Sequence, residues 1–230
     1  MLCNTMPYMN TTNDRLIELV RSQGLLRPCD PTAQGIPRVS LTRAVRRGQL
    51  ERVGRGLYGI PGRQVSEHSS LAEVARRVPK GVVCLLSALR FHGLTTQAPF
   101  EVWLAIENKA LAPKLDYPRL RIVRFSGAAL TEGVEEHGVD GVTVRVTAVA
   151  KTVADCFKYR NKIGLDVALE ALREAWHAKR MTSDDLWHFA KVCRVANVMR
   201  PYLDSLSIRW FLEEEALRQD RWRDQVNISG

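Results

Sequence analysis

An α+β fold is the class this sequence predicts, on three observations. Apolar residues recur at helical spacing through the first fifty residues. A glycine-punctuated pair of extended runs follows them. The rest of the chain holds several β-branched and aromatic runs, with long amphipathic stretches after them. At 230 residues, 45% hydrophobic and 26% charged, the chain has the balance of an ordinary globular protein and room for one large or two modest domains. Its longest apolar run, "VVCLL", is far too short for a membrane span.

The first elements follow in order. Asn13 or Thr12 is expected to cap a helix over "DRLIELVRSQG", with Leu16, Leu19 and Val20 on one buried face and Gly24 as its stop. Asp30 is expected to cap a short second helix beginning at Pro31, a favoured first-turn position. "QGIP" then turns the chain, and Pro37 opens a third helix that runs to about Arg47. Two short helices joined by a glycine-containing turn form a helix-turn-helix. After Gly48 the pattern becomes extended: "LERV", "GRG", "LYGI" reads as a β-hairpin with Arg55 at its tip. Helix-turn-helix plus hairpin is a winged helix, expected to occupy residues 1–63.

Charge singles out this region. Residues 36–63 hold seven arginines and one glutamate, a net +6 out of +9 for the whole chain. A basic patch so concentrated attracts a polyanion, and double-stranded DNA is the default candidate. At 100° per residue, Leu41, Ala44, Val45 and Gly48 share the inward side of the third helix. Val39, Arg43 and Arg46 lie opposite, flanked by Ser40, Thr42 and Arg47. Guanidinium groups there can pair with both acceptors of guanine, hydroxyls can reach bases or phosphates, and Val39 can touch a thymine methyl. Arg38, Ser40, Thr42, Arg43, Arg46, Arg47, Arg52 and Arg55 are therefore the predicted DNA-binding residues. Arg38 owes its place to the helix end, because its angle lies near the buried side.

Residues 64–230 are read as a second, α+β domain. Ser66 is expected to cap a helix over "EHSSLAEVARRV" that Pro79 ends, and a helix over "CLLSALRFH" stops at Gly93. "FEVWLAI", "RLRIVRF" and "GVTVRV" are predicted strands, grouped before the helices "AVAKTVADCFKY", "LDVALEALREAWHA" and "SDDLWHFAKVC". These last begin near Thr147, Leu165–Asp166 and Ser183. A final amphipathic stretch places Ile208, Phe211, Leu212 and Leu217 on one side.

"GIPRVSLTRAVRRGQLERVGRGLYGIP" resembles the winged-helix domain of the AbiEi antitoxin family, from bacterial AbiE abortive-infection systems. "LLSALRFHGLTTQAPFEVWLAI", "VRFSGAALTEGVEEHGVDGVTVRVTAVAKTVADCFKYRNKIG" and "LDVALEALREA" resemble that family's C-terminal domain. The resemblance covers most of residues 12–204. It implies an antitoxin that represses its own operon by binding promoter inverted repeats and opposes a nucleotidyltransferase-like toxin, without direct contact in the type IV arrangement. It also implies that the functional side chains are the arginines of the recognition helix and wing, with no catalytic set and no cofactor. One winged helix reads few base pairs, so two copies on an inverted repeat, and hence self-association on DNA, are expected.

Other motifs carry weaker signals. Thr147, Lys151 and Asp155 share one helical face and read as a cap with a Lys–Asp pair worth a few tenths of a kcal/mol, rather than as contacts to a ligand phosphate. Glu107-x-Lys109 after a strand is the shape of a magnesium-dependent nuclease motif, but no upstream aspartate completes it. Direct toxin binding by the second domain is the other alternative. His68, His92, His137, His177 and His188 show no metal-ligand spacing. Arg119, Arg121 and Arg124 form a second basic strip, read as the solvated edge of a strand. Five scattered cysteines without a C-x-x-C pair predict reduced thiols, and with an N-terminus unlike a secretory signal they predict a cytoplasmic protein.

Overall fold

The computed structural model describes residues 11–205. The stretch carrying Ile208, Phe211, Leu212 and Leu217 lies outside the described residues, as does Cys3. The chain begins as α1 (Thr12–Gln23), α2 (Cys29–Ala33) and α3 (Arg38–Arg46), followed by the hairpin β1 (Glu51–Gly54) and β2 (Leu57–Gly59). Leu16, Leu19 and Val20 of α1, Leu41 and Ala44 of α3, with Leu26, Ile36 and Leu50, form one small core. This is the expected winged helix, and it carries a feature the sequence reading did not include. Leu26 and Tyr58 exchange backbone hydrogen bonds of 2.9 Å in both directions, so the segment after α1 adds a short third rung to the hairpin.

The helix starts differ from expectation. Thr11, not Thr12 or Asn13, caps α1: its hydroxyl accepts from the Asp14 N–H and the Asp14 carboxylate accepts from the Thr11 N–H. Asp30 does not cap α2, which begins one residue before it. Its carboxylate accepts the Arg27 N–H at 2.7 Å and is held by longer-range partners described below.

The second region is a five-stranded mixed sheet in the order β5-β4-β3-β7-β6, with β3 Val82–Val83, β4 Val102–Glu107, β5 Leu120–Phe125, β6 Val134–Val139 and β7 Val142–Thr147. Before β3 lies α4 (Ser69–Arg77), and between the strands lie α5 (Leu85–Phe91) and α6 (Ala128–Thr131). After them come α7 (Val149–Lys158), α8 (Arg160–Ile163), α9 (Leu165–His177) and α10 (Ser183–Val192), and 196–205 are helical. The α+β class stands. The three helices expected after the last strand are present as α7, α9 and α10, with the short α8 and the helical 196–205 beside them, while α5 and α6 are interleaved among the strands.

Strand alternation divides the core between the two faces of the sheet. On β4, Val102, Leu104 and Ile106 pack with Leu71, Ala72 and Val74 of α4, while Trp103 and Ala105 face Val153, Phe157, Leu172 and Leu186 of the other helical layer. Ser66 does not cap α4. Its carbonyl accepts the Ser69 N–H, and its own N–H goes to Asp140. α10 starts at Ser183 as expected, with Thr182 as its cap in a second capping box with Asp185.

The Thr147–Lys151–Asp155 face proves to be interior. Lys151 and Asp155 are wholly buried, with Nζ 2.5 Å from Oδ2 and 4.7 Å from the Phe125 ring centroid. The Cys193 thiol donates to Asp155 Oδ1 at 3.1 Å. Burial holds the Asp155 carboxyl above its ordinary range against the pull of the Lys151 ammonium. Thr147 ends β7 instead of capping α7, and its hydroxyl meets that of Thr152 at 2.7 Å. The exposed-pair energy expected from sequence does not apply to charges removed from water.

Candidate nucleic-acid interface

Extended Pro37 directs the chain into α3, and Arg47 ends it with its N–H bonded back to Arg43 O. Gly48, at φ +68°, then reverses the backbone toward Leu50 and the hairpin. The inward side of the helix is as read, with Leu41 and Ala44 buried and Val45 half-buried, but Gly48 is exposed. Arg38, Thr42, Arg43, Arg46 and Arg47 are exposed, Ser40 is half-buried, and Val39 is 50% exposed among the cations. Neither the three α3 arginines nor Arg47 at its C-terminal cap has a carboxylate within 4 Å among the described residues. Such guanidinium groups keep their full donor capacity for an external anion.

The wing is arranged differently. Arg52 is exposed, and its Nε donates to Gly54 O at 3.3 Å across a register irregularity in the hairpin. Arg55 sits in the turn with an 87% exposed side chain, yet its Nη1 lies 3.5 Å from Asp116 Oδ2 in the loop before β5. Its carbonyl accepts from Arg77 Nη2 at 3.5 Å, and Arg77 Nη1 also donates to Tyr117 O at 2.5 Å. The wing tip is therefore seated on α4 and the loop beside it. Arg63, the seventh arginine of the basic stretch, is half-buried rather than part of the exposed set.

A second set of contacts fixes the opposite side of the winged helix. Arg76 binds Asp30 at 2.8 Å and also donates to Gln23. Burial raises the Asp30 carboxyl, but the Arg27 N–H and guanidinium together with Arg76 outweigh it and hold the pKa below the ordinary value. Gly24, at φ +66°, packs so closely on the β6–β7 turn that a Cβ would lie 2.0 Å from Asp140 O. Leu25 packs into the core beneath α4 while its neighbour Leu26 faces the winged-helix core. Arg76, Arg77, Asp116 and Asp140 were not anticipated. Their partners lie tens of residues away, and only the Asp140-Gly141 hairpin signal was visible locally.

The second basic strip is the solvated edge of the sheet, as expected, since β5 is an edge strand and Arg119, Arg121 and Arg124 are exposed, but its side chains are divided between two faces. Arg121 lies over Trp103 on one face of the sheet, 5.5 Å from the ring centroid. Arg124 turns to the other face, and its Nη1 donates to Asn108 O at 2.6 Å and Ala110 O at 2.9 Å. Arg119 is exposed just before β5. Glu107 and Lys109 are exposed at the end of β4. Among the described residues no three His, Cys, Asp or Glu side chains gather to hold a metal ion. His92 is buried with its Nε2 2.7 Å from Thr147 O, and burial lowers its pKa. Cys84, Cys156 and Cys193 are buried free thiols; burial, with the Asp155 charge, pushes Cys193 up to about 12. No helix among the described residues is long and apolar enough to cross a membrane.

A helical bundle with an exposed cationic third helix and a β-hairpin, followed by a mixed α/β region, defines a winged helix-turn-helix class of fold. Residues 14–61 match the family model described as transcriptional regulator, AbiEi antitoxin. The match begins at Asp14 within α1, runs through the hairpin and stops before α4. No curated protein matches the chain.

Proposed function

We propose that this chain is a DNA-binding antitoxin of the AbiEi type that represses its own toxin–antitoxin operon at promoter inverted repeats. In this reading residues 1–63 bind DNA, and residues 64–230 pair copies of the protein and counteract a nucleotidyltransferase-like toxin in the cytoplasm. The chain acts as a regulator and not as an enzyme. The observation that carries the reading is the α3 face: Arg38, Arg43, Arg46 and Arg47 exposed without acidic partners among the described residues, inside the segment that matches the family model.

The helix enters the major groove, where Arg43 and Arg46 reach base edges and Ser40, Thr42, Arg38 and Arg47 hold flanking phosphates. Arg52 and Arg55 of the wing add backbone contacts, and Arg55 exchanges Asp116 for a phosphate when it does so.

Footprinting and salt titration on the DNA upstream of the gene test this. Replacing Arg46 by Ala lowers affinity by about 1–3 kcal/mol and makes the log–log salt slope shallower by about one. An unchanged footprint and slope in both Arg46→Ala and Arg55→Ala would remove the mechanism. A second reading, direct toxin binding, is favoured by the large apolar side chains that the second region exposes, Phe100 and Leu111 at 102% and 93%. Co-purification of the two proteins at high salt, where promoter contacts are screened, would support it.

A further inference from the structure

A cavity of about 330 Å³ opens between the end of α4, the end of β4 and the loop that follows it. Its volume lies at the lower end of the range of small-molecule sites. Val78, Ile106 and Leu130 supply an apolar lining. Leu111 overhangs the opening and is 93% exposed, so an occupant would cover apolar surface now facing water.

The charge around this apolar lining is unbalanced. Arg77, Lys80 and Arg145 border the cavity, and Glu107 is the one carboxylate lining it among the described residues. Arg77 is only 11% exposed, and its Nε is buried with no hydrogen-bond partner. Its nearest carboxylate, Glu73, stands off at 3.8 Å. Arg145 reaches no carboxylate among the described residues and donates to Lys80 O at 3.4 Å. Apolar walls with three cations and one acid fit a molecule that is apolar along its body and negatively charged at one end.

We propose that this cavity binds a small amphipathic anion, a carboxylate carried on an apolar chain or ring, with the head group among Arg77, Lys80 and Arg145. Arg77 gives the site a consequence. The same guanidinium that borders the cavity holds the wing tip through Arg55 O and the adjacent loop through Tyr117 O. A bound carboxylate makes a charge-assisted contact stronger than either neutral carbonyl and draws Arg77 from them. The wing tip is then released, so the occupied protein grips DNA less well. This coupling rests on the DNA-binding reading above; the site itself does not.

The test uses the full chain, with decanoate below its micelle concentration as probe and decanol as the neutral control. Calorimetry is expected to give saturable one-site binding of decanoate, about tenfold tighter than decanol. Lys80→Gln and Arg145→Gln each weaken decanoate about tenfold and leave decanol unchanged. Ala110→Phe, which fills the cavity from its loop wall, abolishes binding of both while the circular dichroism spectrum is retained. Absence of saturable binding, or decanoate binding that all three variants leave intact, overturns the site. In a second arm, saturating decanoate is expected to weaken binding to upstream DNA about tenfold. An unchanged DNA affinity with decanoate bound overturns the coupling. Absence of DNA binding by the ligand-free protein would instead sink the earlier reading and leave the calorimetric result standing.

Discussion

The arginines of α3 and its C-terminal cap and those of α4 are the same side chain put to opposite uses. Arg38, Arg43, Arg46 and Arg47 are exposed, with no acidic partner among the described residues. Arg76 and Arg77 are largely covered and committed to Asp30, Gln23, Arg55 O and Tyr117 O. The first set contributes little to folding and keeps its hydrogen-bonding capacity for another molecule. The second set spends that capacity on seating the winged helix against the sheet. Lys151, wholly buried on Asp155, is the extreme of the second kind.

That contrast breaks most visibly at Lys151. Lys151→Met leaves Asp155 buried without its cation, and denaturant unfolding is expected to show a loss of about 3–5 kcal/mol. The double variant Lys151→Met/Asp155→Leu should recover most of it, because no uncompensated charge remains. A double variant no better than the single one would show that packing, not charge, dominates the site.

Arg76→Ala comes next, at about 1–3 kcal/mol, since it strips a partly buried carboxylate of one partner. The pH dependence fixes the sign. Asp30 has a folded pKa below its unfolded value, so its stabilisation is complete above about pH 4 and is lost as pH falls through the lower folded value. The stability difference between the parent protein and Asp30→Asn should therefore shrink in acid. A difference that grows below pH 4 would reverse the assignment.

At Arg43 the contrast inverts. Arg43→Ala is expected to shift stability by no more than about 0.5 kcal/mol while lowering DNA affinity by about 1–3 kcal/mol. A thermal shift larger than that of Arg76→Ala would erase the distinction between the two sets.

Asp116→Asn has the smallest effect. Its ion pair with Arg55 is exposed on both sides and contributes little to folding. Losing the carboxylate should leave the unfolding midpoint in place and raise DNA affinity by a few-fold at low salt, an increase that disappears as salt is raised.

How much of this was legible in the sequence depended on the range of the interactions. The inward and outward faces of α3 follow from its period, and the hairpin from Gly54-Arg55-Gly56. β6 escaped notice because Val134–Val139 is largely polar and is a strand through its ladder with β7. β3 is two residues long and has no period to read. The helix caps slipped by a residue or two because neighbouring Ser, Thr, Asn and Asp side chains offer equivalent donors and acceptors, and tertiary partners such as Arg76 decide which are occupied elsewhere.

The sequence by itself determined the winged-helix elements, three of the five sheet strands and the main helices around them, together with the cationic hairpin-bearing segment and its inward apolar face, because periodicity, turn chemistry and net charge act between near neighbours. Only the tertiary structure decided which charges are spent. Asp30 meets Arg76 across 46 residues and Arg55 meets Asp116 across 61. An i,i+4 Lys–Asp pair has the same spacing on a solvated helix as in a core. Burial and long-range pairing are properties of the packed chain, and they separate the arginines that hold this protein together from those left exposed for a partner.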